Sequence, residues 1–74
     1  MIYRYYTLFR PPMLGAVPRG MIEIEDYGTR RMVPSVGLEA WGHVDYVRPL
    51  SEHDVYSYEL AADPRNPLDK ITRE

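Results

Sequence analysis

A small α+β fold is predicted, an antiparallel sheet of three or four strands with one C-terminal helix packed on one face, and three observations predict it. Strand-favouring aromatic and β-branched residues concentrate in two stretches, 2–10 and 40–48. Between them, residues 21–27 alternate apolar and polar side chains, the period of a half-buried strand. After Pro49, the run Leu50-Ser51-Glu52-His53-Asp54-Val55 carries the marks of a helix start.

The stretch 40–48 is the expected centre of the fold. It holds the single tryptophan, and Pro34 and Pro49 punctuate it on either side. Alternation places Ala40, Gly42, Val44 and Tyr46 on one face and Trp41, His43, Asp45 and Val47 on the other. Gly42 suits a place where another backbone or a large side chain comes close. The aromatic N-terminal segment is the expected neighbour of this strand.

That segment, 2–10, places Tyr3, Tyr5, Thr7 and Phe9 on one face and Ile2, Arg4, Tyr6, Leu8 and Arg10 on the other. Its tyrosines suit packing, with hydroxyls reaching the edge of the core. Pro11-Pro12 ends the strand, since neither residue donates to a ladder. The loop to Gly20 is long for a small domain, and Met13, Leu14 and Val17 suggest that it crosses a sheet face. Residues 21–27 follow as a strand, with Ile22 and Ile24 inward and Glu23 and Glu25 to solvent. Gly28-Thr29 reads as a hairpin turn, returning 30–34 antiparallel with Arg30 and Arg31 across from the acids. Ser51 is the expected N-cap and Leu50 with Val55 the hydrophobic staple of a helix over about 52–61. A single domain over 1–62 is expected, followed by a flexible tail over 63–74, where Asp63-Pro64 and Asn66-Pro67 end regular structure.

The ordered motifs resemble a known group of proteins. Tyr3-Arg4-Tyr5-Tyr6-Thr7 leading to Arg10-Pro11-Pro12, then Gly15 and Pro18, Ala40-Trp41-Gly42-His43-Val44-Asp45-Tyr46, Pro49-Leu50-Ser51 and Tyr58-Glu59-Leu60 are similar to short uncharacterised proteins of Firmicutes mobile elements and phages. They also resemble small domains associated with the large polyvalent proteins of such elements. The resemblance covers about residues 1–62. It implies a genomic neighbourhood and carries over no catalytic residue.

Composition narrows the function classes. A net charge of −2 argues neither for a nucleic-acid binder nor for an acidic mimic of DNA. Without cysteine there is neither a disulfide framework nor a thiolate metal site, and no apolar run approaches the roughly 18 residues of a membrane span. A cytoplasmic protein without membrane contact is the expectation. Residues 1–20 carry Arg4, Arg10 and Arg19 and no acid, whereas residues 37–63 carry six acids against Arg48 alone, so the two halves are expected to attract each other.

No constellation for chemistry emerges. His43 and Asp45 share a strand face, but a metal site needs a third and usually a fourth ligand. None of Ser35, Ser51 and Ser57 sits in a nucleophile elbow, and a domain this small rarely encloses a supported, water-excluding pocket. No enzyme activity, catalytic residue, metal or cofactor is expected. The expectation is a non-catalytic protein-binding module of a phage or mobile element, acting on a host factor, with Arg4, Tyr6, Arg10, Arg19, Trp41 and His43 as binding residues. Homodimerisation is expected where a small sheet leaves apolar area uncovered. The alternatives are a small-ligand binder, such as one for a nucleotide signal, using Arg and Tyr side chains, and a single-stranded nucleic-acid binder, which the acidic second half disfavours.

Overall fold

The computed structural model describes residues 1–69, so the part of the expected tail beyond residue 69 lies outside the described residues. Four strands and one helix follow in chain order: β1 (Tyr3–Thr7), β2 (Glu23–Val33), β3 (Leu38–Tyr46), α1 (Glu52–Ser57) and β4 (Leu60–Ala62). The strands form one antiparallel sheet in the order β2-β3-β1-β4. This is the small α+β architecture the sequence predicts. The tryptophan strand β3 is internal, and the tyrosine-rich β1 pairs with it from Tyr3 across from Tyr46 to Thr7 across from Gly42.

One face of the sheet is apolar. Tyr5, Val44, Tyr46, Leu60 and the loop residue Val17 are buried together, with Tyr3, Met21, Leu50, Val55 and Tyr58 packed against them. Burying a large apolar side chain stabilises by about 1.5–3 kcal/mol, so this cluster is the main hydrophobic support of the fold. The long loop crosses this face, as its apolar residues suggested, although Met13 and Leu14 remain exposed. Close approach explains Gly42: a Cβ there would overlap the Glu25 carbonyl oxygen and meet the Pro12 ring at 2.7 and 2.8 Å.

Several local expectations need correction. The hairpin over 21–27 and 30–34 does not form; β2 runs through Gly28-Thr29 as one strand and pairs only with β3. Turn chemistry still acts there. Asp26 Oδ1 accepts the Gly28 N–H at 2.8 Å and Gly28 takes φ +76°, which makes a bulge where a reversal was expected. Across it the register steps from Asp26↔Gly42 to Arg31↔Ala40, so residues 27 to 30 stand opposite Trp41 alone. Beyond the bulge Ala40 packs with Tyr6 and Val33, not with Val44. Arg30 therefore meets β3, 3.6 Å from Glu39, and the Arg31 guanidinium stacks 4.0 Å from the Tyr27 ring centroid. The real reversal is Pro34-Ser35-Val36-Gly37, which closes with Gly37 N–H donating to Val33 O at 2.9 Å and Gly37 at φ +69°.

The inward and outward assignment of β2 is also reversed. Ile22 and Ile24 are exposed, whereas Glu23, Glu25 and Tyr27 are half-buried, because β2 is an edge strand whose polar side faces a buried polar layer. The first strand ends at Thr7, short of residue 10. The helix is capped as expected, Ser51 Oγ accepting the Asp54 N–H at 3.1 Å, but it stops at Ser57. Glu59 then takes φ +58° and turns the chain into β4 on the outer edge of β1. Hydrogen bonding continues past Ala62: Asp63 N–H and the Asn66 side-chain amide both donate to Arg4 O at 2.9 Å, and Ile2 and Leu68 exchange backbone bonds of 2.9 and 2.7 Å.

Candidate functional site

The second face of the sheet is where the polar candidates collect. Register alone puts Arg4 across from Asp45 and Tyr6 across from His43, and alternation aims all four to the same side. Arg4 Nε and Nη2 donate to Asp45 Oδ1 and Oδ2 at 2.9 and 3.0 Å, a two-point ion pair whose side chains are both 0 % exposed. The Tyr27 hydroxyl lies 2.9 Å from His43 Nδ1, and the rings of Tyr6 and Tyr27 both meet His43 edge-on, with centroids 5.9 and 5.7 Å away. Asp45 is thus the partner of Arg4 and not of His43.

Asp63 closes the layer from the sheet edge. Its Oδ2 accepts the Tyr6 hydroxyl at 2.7 Å and Arg65 Nη2 at 2.7 Å, and its Oδ1 accepts Arg65 N–H and Nε at 2.8 and 3.0 Å. Burial pushes the Asp63 carboxyl upward, but the Arg65 side-chain and backbone bonds, the Tyr6 hydroxyl and the Arg65 charge overcome it and hold the group well below the usual carboxylate range. On the apolar face, burial pushes the Tyr46 hydroxyl well above its ordinary value, with smaller contributions from Tyr58, Asp54 and Tyr5. That hydroxyl donates to Pro18 O at 2.6 Å. Among the described residues, no buried side-chain nitrogen or oxygen lacks a hydrogen-bond partner, and no cluster of three metal-ligating side chains occurs.

Of the six residues expected to bind, Arg4, Tyr6 and His43 come together in this buried layer, facing inward. Trp41 is half-buried opposite the bulge. Arg10 is exposed and paired with Glu59 at 2.7 Å, and Arg19 is exposed on the long loop. Arg4–Asp45 and Arg10–Glu59 both join the basic N-terminal part to the acidic second half, the attraction that the charge distribution predicts.

The outer surface has a different character. Phe9 and Tyr56, 64 % and 84 % exposed, flank an open groove of about 440 Å³ whose other walls include Leu8, Val55 and Leu60. A neighbouring groove of about 430 Å³ shares Val55, Tyr56 and Leu60 and reaches Tyr5 and Leu50. Sequence reasoning passed over Phe9 and Tyr56. Phe9 lies beyond the end of β1 at Thr7, and Tyr56 sits on the exposed side of a helix with no fully buried residue.

Sheet, sealed polar layer and apolar outer grooves define a small α+β domain with apolar side chains exposed at its grooves and four of its arginines held by carboxylates. By sequence the chain belongs to the family described as defence against restriction A C-terminal, whose model matches residues 1–65. That family is associated with phages and mobile elements, as the sequence resemblance implied. No curated protein and no solved structure matches the chain. Among the described residues, no helix is long and apolar enough to cross a membrane.

Proposed function

We propose that this chain is a non-catalytic protein-interaction module with which a phage or mobile element, of the Firmicutes kind the sequence resemblance points to, acts on a host factor in resisting restriction. One observation carries the reading: the groove between Phe9 and Tyr56 is open and apolar, while the side chains suited to chemistry, Arg4, Tyr6, His43, Asp45 and Asp63, are buried and bonded to one another or to neighbours. Exposed aromatics around an apolar groove are what protein partners bury most productively. The family name, which describes a C-terminal part of a defence-against-restriction protein, supports a module that works by contact.

The partner is a host protein of the restriction machinery, met in the cytoplasm. The homodimer expected from the sequence would draw on the same exposed apolar area, and sedimentation at micromolar concentration measures it. The direct test is retention of restriction subunits from a restricting host lysate on the immobilised chain, compared with a Phe9→Ser/Tyr56→Ser variant of unchanged melting temperature. Retention lost in the variant supports the reading. Equal retention, no retention, or turnover of a metabolite by the purified chain overturns it.

A further inference from the structure

Among the described residues the arginines divide into two groups. Arg4, Arg10, Arg30 and Arg65 each lie against a carboxylate, and Arg31 stacks on Tyr27. Arg19 and Arg48 make no such contact. Both are exposed, and both line the same groove, a space of about 350 Å³ bounded also by Gly20, Pro49 and Leu50, with no acidic residue in its walls. Two unpaired guanidiniums on one groove repel each other unless an anion lies between them.

The backbone beneath the two arginines is clamped. Pro18, just before Arg19, accepts the buried Tyr46 hydroxyl at 2.6 Å, and Tyr46 stands two residues before Arg48. Ile22 N–H donates to Asp45 O at 2.8 Å, tying the far end of the loop to the end of β3. Leu50 N–H donates to the Tyr5 hydroxyl at 2.8 Å, fixing the chain just after Pro49. Each arginine therefore rises from an anchored position, and only the side chains must be ordered on binding.

We propose that this groove binds a phosphate group carried by a small molecule, held between the Arg19 and Arg48 guanidiniums. A phosphate monoester carries about −1.5 to −2 charge at neutral pH, matching two guanidiniums, and its oxygens accept paired N–H bonds from the planar forks. The groove is of small-ligand size. It does not fit a nucleic-acid strand, since its one aromatic, Tyr46, is buried with its hydroxyl engaged and no ring is left for bases to stack on. The site is separate from the Phe9 and Tyr56 groove, which shares none of its lining residues.

The test is titration of the full chain, followed by amide and arginine side-chain NMR signals, with inorganic phosphate, adenosine monophosphate, adenosine and acetate. Saturable shifts at Arg19, Gly20, Arg48 and Leu50 are expected with phosphate and with the nucleotide, and none with adenosine or acetate. Tighter binding of the nucleotide than of phosphate extends the site to the carrier, and equal binding confines it to the phosphate group. Arg19→Gln and Arg48→Gln, both at exposed positions, should each weaken binding by about tenfold or more, whereas Arg10→Gln, whose ion pair lies elsewhere, should not. Absence of saturable shifts at millimolar phosphate, shifts that survive both substitutions, or binding of an oligonucleotide without binding of the mononucleotide would overturn the proposal.

Discussion

The two faces of the sheet are built from the same strands and solve burial in opposite ways. On one face Tyr5, Val44, Tyr46 and Leu60 exclude water by apolar contact under a loop and a short helix. On the other, Arg4, Tyr6, His43, Asp45 and Asp63 are just as buried and find their polar partners in one another and in Tyr27 and Arg65. The apolar face is supported by area and tolerates changes of shape. The polar face is supported by satisfied partners, and removing one partner leaves a charge or a hydroxyl stranded.

The largest expected effect therefore lies on the polar face. Asp45→Asn takes the Asp45 charge away from the buried Arg4 guanidinium and should cost about 3–5 kcal/mol in urea unfolding, enough to unfold much of a domain this small. A loss below 1 kcal/mol, of the size seen at exposed pairs, would mean that this face is wet. On the apolar face, Gly42→Ala forces a methyl group into the Glu25 carbonyl and the Pro12 ring and should cost about 1–3 kcal/mol by overpacking; an unchanged melting temperature would show that the loop does not sit there. Tyr46→Phe keeps the ring and deletes the bond to Pro18, leaving a buried carbonyl unpaired at about 1–3 kcal/mol. A polar tie of this kind on the apolar face, like that of the Tyr5 hydroxyl to Leu50 N–H, sharpens the contrast.

Acid should distinguish the faces as well. The folded-state pKa of Asp63 is depressed, so its contribution is whole above its unfolded value of about 3.9 and is lost as pH falls through the folded value. The melting temperature should drop more steeply between about pH 5 and about pH 2 in the native chain than in Asp63→Asn. Equal slopes would remove Asp63 from the account. The smallest stability effect is expected outside both faces: Tyr56→Ser should change stability by no more than about 0.5 kcal/mol and yet abolish partner retention.

How far the sequence reaches follows from the same contrast. The fold class, the pairing of β1 with β3, the grouping of Arg4 with Tyr6 and of His43 with Asp45, and the Ser51 cap were legible, because period-two alternation and capping chemistry are local. Which side of β2 is covered was not. Alternation sorts Ile22 and Ile24 from Glu23 and Glu25 but does not reveal that the polar layer lies on the glutamate side. The Gly28-Thr29 turn signal was real and was misjudged in scale, since an Asp26 side-chain bond can bend a strand without reversing it. The short helix and β4 hinge on Glu59 in a left-handed conformation, which a non-glycine residue seldom announces. Arg48 gave no signal at all, because its distinction is that no carboxylate among the described residues pairs with it, and partners are set by the fold.

The most direct test is a double-mutant cycle on Arg4 and Asp45, with Arg4→Met, Asp45→Leu and both together measured by urea unfolding. A sealed interior pair predicts that each single variant is far less stable than the native chain and that the double variant recovers most of the loss. Single losses that simply add in the double variant would contradict it, and the two residues would then belong to a hydrated surface open to ligands.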